Sequence, residues 1–265
     1  MTHRLRALLI IGWWCISPPI ASALFHAELS NGVQTDSLKW SIGSGNFVLS
    51  ELDFHATSIK TQADLLWVSS NYRWSFDVRA GFGKIVSGNI QDDDYSAANR
   101  QDLFSRSRSE MGGHTISSLS GELGYRLVDT QEIRIALLLG YRYDIQHFNI
   151  VKATQIVPAI SVDFTGLNSD YLAQWRSITV GTAFTIPLGP TPFALELTGH
   201  AWPNLTYRGT GRWNLRQSST NPDSSFRQDP SFLHQADGFG GDVELRLRYR
   251  PSPHWEDRKS TRLNS

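Results

Sequence analysis

The sequence predicts an all-β fold, an antiparallel transmembrane β-barrel, on three observations. Apolar and polar residues alternate with a period of two along several segments of the chain. These segments run for roughly ten residues or more, the length that a tilted membrane strand needs. Short and long connections also alternate along the chain, as they do when turns lie on one side of a membrane and loops on the other.

The alternation is clearest in the segment WSFDVRAGFG at 74–83. Trp74 and Phe76 lie on one face of this predicted strand, whereas Asp77 and Arg79 lie on the other. The segments IRIALLLGYRY and DVELRLRYR alternate in the same way. Because lipid offers no hydrogen bonds, we expect the charged face of each strand to point into the barrel lumen.

The connections divide into two classes by length. Four are short, at 69–73, 128–132, 188–192 and 251–254, and three are long, at about 87–112, 149–170 and 205–237. This spacing predicts about eight strands up to Arg250. Aromatic residues near the predicted strand ends are expected to form interfacial girdles; they are Trp40, Trp67, Tyr72, Trp74, Tyr125, Tyr141, Trp202 and Trp255.

The two ends of the chain differ from the barrel segment 24–256. Residues 1–23 combine a basic start, an apolar run and a small-x-small motif, which predicts a signal peptide cleaved after Ala23. The apolar run is too short for a membrane anchor, and prolines follow it. The last nine residues, DRKSTRLNS at 257–265, match the translation of a common sequencing adapter. We interpret them as an artefact that replaces the natural end of the barrel.

Composition narrows the function classes. The 25 basic and 25 acidic residues balance, which argues against a nucleic-acid-binding protein. No cofactor is expected. The sequence feature that most suggests chemistry is SGNIQDDDYSAANR at 87–100, with Asp92, Asp93 and Asp94 in a row. It is open to three interpretations: a solvated rim loop, part of an altered protease site, or a cation site without a full ligand set.

The carboxylate segment and its surroundings resemble the omptins, ten-stranded outer-membrane barrel proteases of Gram-negative bacteria. The resemblance lies in LSELDF at 49–54 and in a G-N-x-x-D-x-D-aromatic pattern. The residues that match this pattern are Gly88, Asn89, Asp92, Asp94 and Tyr95. The segment 99–115 is similar instead to a related group of omptin-like outer-membrane proteins of chlamydia-like bacteria. The resemblance implies a ten-stranded barrel in the outer membrane, with two strands missing here.

The omptin resemblance implies a site of two facing walls. One wall carries two aspartates, which Asp92 and Asp94 match, and the other carries a D-x-H pair whose histidine acts as base on a water. No D-x-H occurs in the long loop at 203–237. His200 and His234 are weak candidates for the base, and His114 is a further histidine near a strand start.

Function and partners follow from this partial match. A non-proteolytic outer-membrane barrel, serving as an adhesin, a structural barrel or a narrow pore, is the first hypothesis. An omptin-like endopeptidase with a rearranged histidine base is the alternative, and a soluble periplasmic β-domain is a third. The expected partner is outer-membrane lipid. Lipopolysaccharide, and a peptide or host-surface ligand at the extracellular loops, are further candidates. Of the omptin lipid motif Y-x-E-x-R, only Tyr141 is present.

The arginines after the carboxylates add one further question. Arg100, Arg106 and Arg108 follow the acidic segment in the chain. They either order this segment through charge-assisted hydrogen bonds or contact lipopolysaccharide phosphates.

Overall fold

The structure is a computed structural model. It describes the backbone of residues 6–15, 23–43, 49–97, 99–160, 164–217, 230–252 and 255–264. Side chains are described within 23–43, 49–97, 99–160, 164–215 and 230–249.

Eleven strands form one antiparallel sheet. They are β1 (Arg6–Cys15), β2 (Ala23–Ile42), β3 (Leu49–Ser69), β4 (Trp74–Ala97), β5 (Gln101–Met111), β6 (Thr115–Asp129), β7 (Arg134–Val157), β8 (Ser169–Pro187), β9 (Phe193–Arg212), β10 (Phe232–Ser252) and β11 (Trp255–Asn264). A single 3₁₀ turn, Asn214–Gln217, follows β9 among the described residues. These residues contain no helical stretch with the length and hydropathy of a transmembrane span.

The strand pairings return to their starting point. Strands adjacent in the chain pair with each other, except β5 and β6, and β11 pairs with β1. Strands β5 and β6 share one position of this ring, because both lie between β4 and β7. The ring therefore has ten positions for eleven strands. Every strand of the ring therefore has a hydrogen-bonded neighbour on both sides, as the interior of a bilayer requires.

The shared position is a single long strand with a break at 112–114. Gly113 adopts a φ of +77° there, which a residue with a side chain rarely does. Before the break, β5 pairs with the part of β4 beyond the membrane. After the break, β6 pairs with the part of β4 inside the membrane.

The two faces of the sheet differ as the alternation predicts. Large apolar side chains on the outer face form a band that we take as the membrane-spanning part, at 24–33, 59–67, 76–86, 119–127, 137–141, 178–186, 193–197 and 239–247. Inward-facing side chains of the same strands are largely polar and buried, such as Asp242 and Glu244. Lipid surrounds the outer, apolar side chains. The inner, polar side chains pair with one another in the lumen.

The predicted aromatic girdle is right at five of its eight positions. Trp67, Tyr72, Trp74 and Tyr141 are exposed on the outer face, and the Tyr125 ring packs on Trp74 at 4.7 Å. Trp40 and Trp202 were assigned wrongly, since they point into the lumen. There Trp40 stacks on Tyr171 and Trp202 lies under the guanidinium of Arg142. The side chain of Trp255 lies outside the described residues.

The predicted strand number agrees with the structure for the part of the chain up to Arg250. Strands β2–β10 occupy eight positions of the ring, which agrees with about eight strands up to Arg250. The remaining two positions are filled by β1 and β11, within or overlapping the segments predicted to be a signal peptide and a foreign tail. This pairing does not test whether those segments belong to the mature protein, so the signal peptide and the foreign tail stay predictions.

Candidate functional site

The three aspartates lie in a strand and not in a loop. Asp92 pairs with Leu52 of β3 and Ser107 of β5, so β4 continues well beyond the apolar band. The expected rim loop at 87–112 is therefore wrong. Its residues form a hairpin in which Asn99 and Arg100 belong to the turn. The hairpin strands pair with β3 on one side and with β7 on the other, which satisfies their backbone groups. Side chains therefore keep alternating between the two faces through the hairpin.

Consecutive aspartates point to opposite faces of this hairpin. Asp92 lies opposite Leu52, a residue of the buried core, so Asp92 and Asp94 face the mouth of the lumen. Ser107 and Ser105 of β5 lie directly opposite Asp92 and Asp94. Asp93 therefore points to the outer face. The row of three splits into a lumenal pair and one outer carboxylate.

The outer carboxylate, Asp93, is bound by an arginine. Arg106 donates from Nε to Oδ1 at 2.6 Å and from Nη2 to Oδ2 at 2.8 Å. Gln91 adds a hydrogen bond at 2.9 Å. Burial alone would raise the pKa of Asp93, but the hydrogen bonds from Arg106 and Gln91 outweigh it and hold the pKa below its ordinary value.

A second arginine orders the tip of the same hairpin. Arg100 donates from Nη2 to Oε1 of Glu51 at 2.6 Å, and the Glu51 side chain is almost completely buried. Arg108 contacts Gln91 at 3.1 Å. Of the two roles considered for these arginines, the geometry favours the ordering of the hairpin by charge-assisted hydrogen bonds.

His234 lies in the upper lumen among aromatic rings. Its ring centre is 4.2 Å from that of Trp40, and its Nδ1 is 3.2 Å from the Tyr171 hydroxyl. Burial lowers the pKa of His234, so its neutral form is favoured. Trp40 pairs with Leu52, which pairs with Asp92, so the backbones of Trp40 and Asp92 are about 10 Å apart. The structure thus brings His234 and Asp92 into the same half of the lumen, with Trp40 between them.

His200 lies in a different part of the barrel. Its Nδ1 is 2.8 Å from Asp242 and its Nε2 is 2.6 Å from Glu122. Glu122 pairs with Asp77, and Asp77 and Asp92 are fifteen residues apart on β4. At about 3.3 Å per residue and a tilt of about 40°, that is roughly 40 Å along the barrel axis. His200 is therefore not brought to the aspartate pair, and both of its nitrogens are occupied.

His114, the third histidine, is on the outer wall. It follows the break between β5 and β6, and its ring centre is 4.1 Å from that of His147 on β7. It too is kept from the lumenal aspartates.

A network of ion pairs fills the membrane part of the lumen. Arg142 bonds Asp144 at 2.5 Å and Asp242 at 3.3 Å, and Asp242 in turn bonds His200. Arg79 joins strand β4 to Glu244 of β10 at 3.3 Å. The space left among these groups is about 20 Å³, which is enough for about one water. Sequence reasoning missed this network, although the inward phase of the alternation places every member of it on the lumenal face.

An apolar cluster closes the lumen above the ion pairs. It is centred on the completely buried Tyr171, whose ring is 5.2 Å from Phe54 and 6.0 Å from Phe232. Other members of the cluster come from the strand segments beyond the membrane and include Leu52, Phe148 and Trp175. The lumen is thus filled by charges below and by rings above.

The interpretation of the three aspartates as a cation site finds no set of ligands in the described part of the chain. Among the residues that the structure describes, no group of three or more His, Cys, Asp or Glu side chains is arranged to hold a metal ion. The split of the aspartates between two faces explains this, because Asp93 cannot join the other two around one ion.

Comparison with known proteins gives a family and a fold. A family model described as Protochlamydia outer membrane protein matches residues 28–262, which includes the first part of the predicted foreign tail. The outer membrane protease OmpT from Escherichia coli has a similar structure, with a TM-score of 0.64, 12% identity, and coverage of 99% of this chain and 93% of that chain. The translocator domain of autotransporter NalP from Neisseria meningitidis follows with a TM-score of 0.32, 11% identity, and coverage of 98% and 86%. No curated protein sequence matches the chain.

Proposed function

The chain belongs to the Protochlamydia outer membrane protein family, and we propose that it is a non-proteolytic barrel with a closed lumen that acts as a structural barrel or adhesin. Its location is the outer membrane, and its fold is that of OmpT. At 12% identity, the likeness to a protease extends to the fold alone.

The surroundings of the histidines carry this proposal. A histidine base in an omptin-type site needs an acidic partner on one nitrogen and a free nitrogen for water. His234 faces the upper lumen but contacts aromatic rings and a tyrosine hydroxyl. His200 has acidic partners, but on both nitrogens and roughly 40 Å from Asp92.

The filled lumen supports a structural role over a pore. Ion pairs cross the membrane part of the lumen from β4 to β10 and from β7 to β10. Small barrels fill their interior with side chains in this way. The long hairpin of β4 and β5, held by the Asp93–Arg106 pair, then offers a rigid surface outside the membrane.

Two measurements on the refolded protein test the proposal. A panel of fluorogenic peptides, dibasic ones included, should remain uncleaved, and planar bilayers should show no steady conductance. Heat-modifiable migration on gels confirms folding in each preparation. Cleavage that Asp92→Asn and Asp94→Asn both abolish would refute the non-proteolytic assignment, and a steady conductance would refute the closed lumen.

An endopeptidase remains the second candidate because one observation favours it. Asp92 and Asp94 face the lumen mouth with Ser105 and Ser107, as a two-carboxylate wall requires. In that function, the base would be His234, and its ring would have to leave Trp40 when substrate binds. His234→Gln would then abolish cleavage, whereas His200→Gln in a folded barrel would not.

Lipopolysaccharide is a proposed partner of the outer wall. Arg176 lies directly opposite Tyr143, and Arg208 opposite Gln174, just beyond the apolar band. Guanidinium groups at this height suit lipid phosphates. We expect Arg176→Gln with Arg208→Gln to reduce the lipopolysaccharide that copurifies with the barrel, while Arg73→Gln at the opposite end leaves it unchanged.

A further inference from the structure

Two histidines meet on the outer wall, where neither hypothesis for the lumen uses them. His114 follows the break between β5 and β6, and His147 belongs to β7. Their ring centres are 4.1 Å apart, and the rings are inclined by 43°. Both side chains are partly exposed and lie beyond the apolar band.

Backbone hydrogen bonds fix the main chain that carries the two histidines. The carbonyl of His114 accepts a hydrogen bond from the amide of Ile85 at 2.7 Å, which fixes the break against β4. The amide of Gly112 donates to the carbonyl of Asn149 at 3.3 Å, which fixes it against β7. His147 lies two residues before Asn149 in a continuous ladder with β8. The backbone positions from which the two rings approach each other are therefore set by the sheet.

A carboxylate lies beside one of the imidazoles. Oδ1 of Asp170 lies 3.7 Å from Nε2 of His147. Arg212 donates to Oδ2 of the same carboxylate from Nε at 2.9 Å and from Nη2 at 2.7 Å. A histidine that binds a metal through one nitrogen usually has a carboxylate, a carbonyl or a water at its other nitrogen. Asp170 is the carboxylate in that position for His147.

The separation of the rings is close to what one ion needs. At a metal–nitrogen distance of about 2.0–2.1 Å, two imidazoles on one ion place their ring centres roughly 4.5–5 Å apart. The rings of His114 and His147 reach this separation by moving apart by about 1 Å or less. Imidazole nitrogen is a suitable ligand for Zn²⁺, Ni²⁺ and Cu²⁺ and a poor one for Ca²⁺ and Mg²⁺.

We propose that His114 and His147 form a surface site for a divalent transition-metal ion, with Asp170 as the residue that positions His147. Water completes the coordination. The ion joins the break between β5 and β6 to β7, outside the membrane. Asp170 acts through His147 and does not itself touch the ion.

The test titrates the refolded barrel in detergent with Zn²⁺ or Cu²⁺ alone by isothermal titration calorimetry. We expect one ion per barrel for the unchanged chain. His114→Asn and His147→Asn should each weaken binding at least about tenfold, and Asp170→Asn about tenfold. His55→Asn is the matched control, because His55 is also an exposed strand histidine beside an aspartate, at 3.2 Å from Asp53. Its titration should equal that of the unchanged chain.

Two results would overturn the site. One is binding that His114→Asn and His147→Asn leave within about twofold of the unchanged chain. The other is a loss in His55→Asn as large as theirs. Heat-modifiable migration shows which variants fold, and His114→Asn alone decides if His147→Asn does not, since His114 lies outside both strands. Absence of any heat of binding in the folded, unchanged chain would also refute the proposal.

Discussion

Replacing His200 by glutamine should destabilise the barrel strongly. The imidazole bridges Asp242 of β10 and Glu122 of β6 across the lumen, with hydrogen bonds of 2.8 and 2.6 Å. Glutamine has one carbonyl and one amide group, so it cannot donate to both carboxylates at the distances that the imidazole reaches. At least one buried carboxylate then loses its partner.

The magnitude follows from the two contacts and from what remains. A hydrogen bond to a charged group contributes about 1.5–3 kcal/mol, so loss of both would cost about 3–6 kcal/mol. Asp242 keeps its contact with Arg142 at 3.3 Å, and the adjoining space of about 20 Å³ admits a water. These two compensations place the expected loss near the lower end, at about 3 kcal/mol.

Urea unfolding of the refolded barrel, followed by tryptophan fluorescence and by gel mobility, measures this loss. His55→Gln serves as the control, because its exposed side chain should change the free energy of unfolding by no more than about 0.5 kcal/mol. A double-mutant cycle of His200→Gln with Asp242→Asn isolates the pair. If His200→Gln cost less than about 1 kcal/mol, or if the cycle showed no coupling, the lumen network would not be what holds the barrel together.

Three further predictions concern other parts of the chain. Arg106→Gln should lower the free energy of unfolding by about 1–2 kcal/mol at neutral pH. The pKa of Asp93 is depressed in the folded state, so the stabilisation by Arg106 is fully present above the ordinary pKa of an aspartate. This stabilisation is lost as the pH falls through the lowered pKa. An Arg106→Gln variant with the same acid sensitivity as the unchanged protein would contradict the prediction. Because the pKa of His234 is lowered in the folded state, the unchanged protein should lose stability as the pH falls below about 6.5 toward that lowered pKa. His234→Phe should not show this loss. Equal curves of unfolding free energy against pH for both proteins would contradict this. Mass spectrometry of the exported protein should show an N-terminus at Leu24, and a retained Cys15 would disprove signal cleavage.

The strands were predictable because the membrane imposes one rule on each of them. Lipid on one side and a polar lumen on the other force a period of two, and the sequence carries this period in β4, β7 and β10. The direction of Trp40 and Trp202 was not predictable from position near a strand end. Their register decides the face, and the lumen takes aromatic side chains both among rings, as for Trp40, and beside a guanidinium, as for Trp202. An aromatic residue near a strand end is therefore not by itself evidence for an interface.

The site was only partly predictable because its partners come from distant strands. The pairing of Arg106 with Asp93 is local, thirteen residues apart, and could be anticipated from charge alone. The contacts of His200 span 42 and 78 residues, and they depend on the ring order of the strands. The same holds for the meeting of His114 with His147. It arises from a break at Gly113 that reads in the sequence only as two adjacent glycines.

The three consecutive aspartates show why a charged run in a strand is not one cluster. A period of two sends Asp92 and Asp94 to the lumen and Asp93 to the outer wall, so the run serves two separate environments. Arg106 stabilises the outer one, and that contact holds the hairpin which presents the inner pair. Loss of activity in Arg106→Gln would therefore not identify a catalytic residue, because it would follow from a disordered hairpin. Only a change at Asp92 or Asp94 in a barrel of unchanged stability tests chemistry at the lumen mouth.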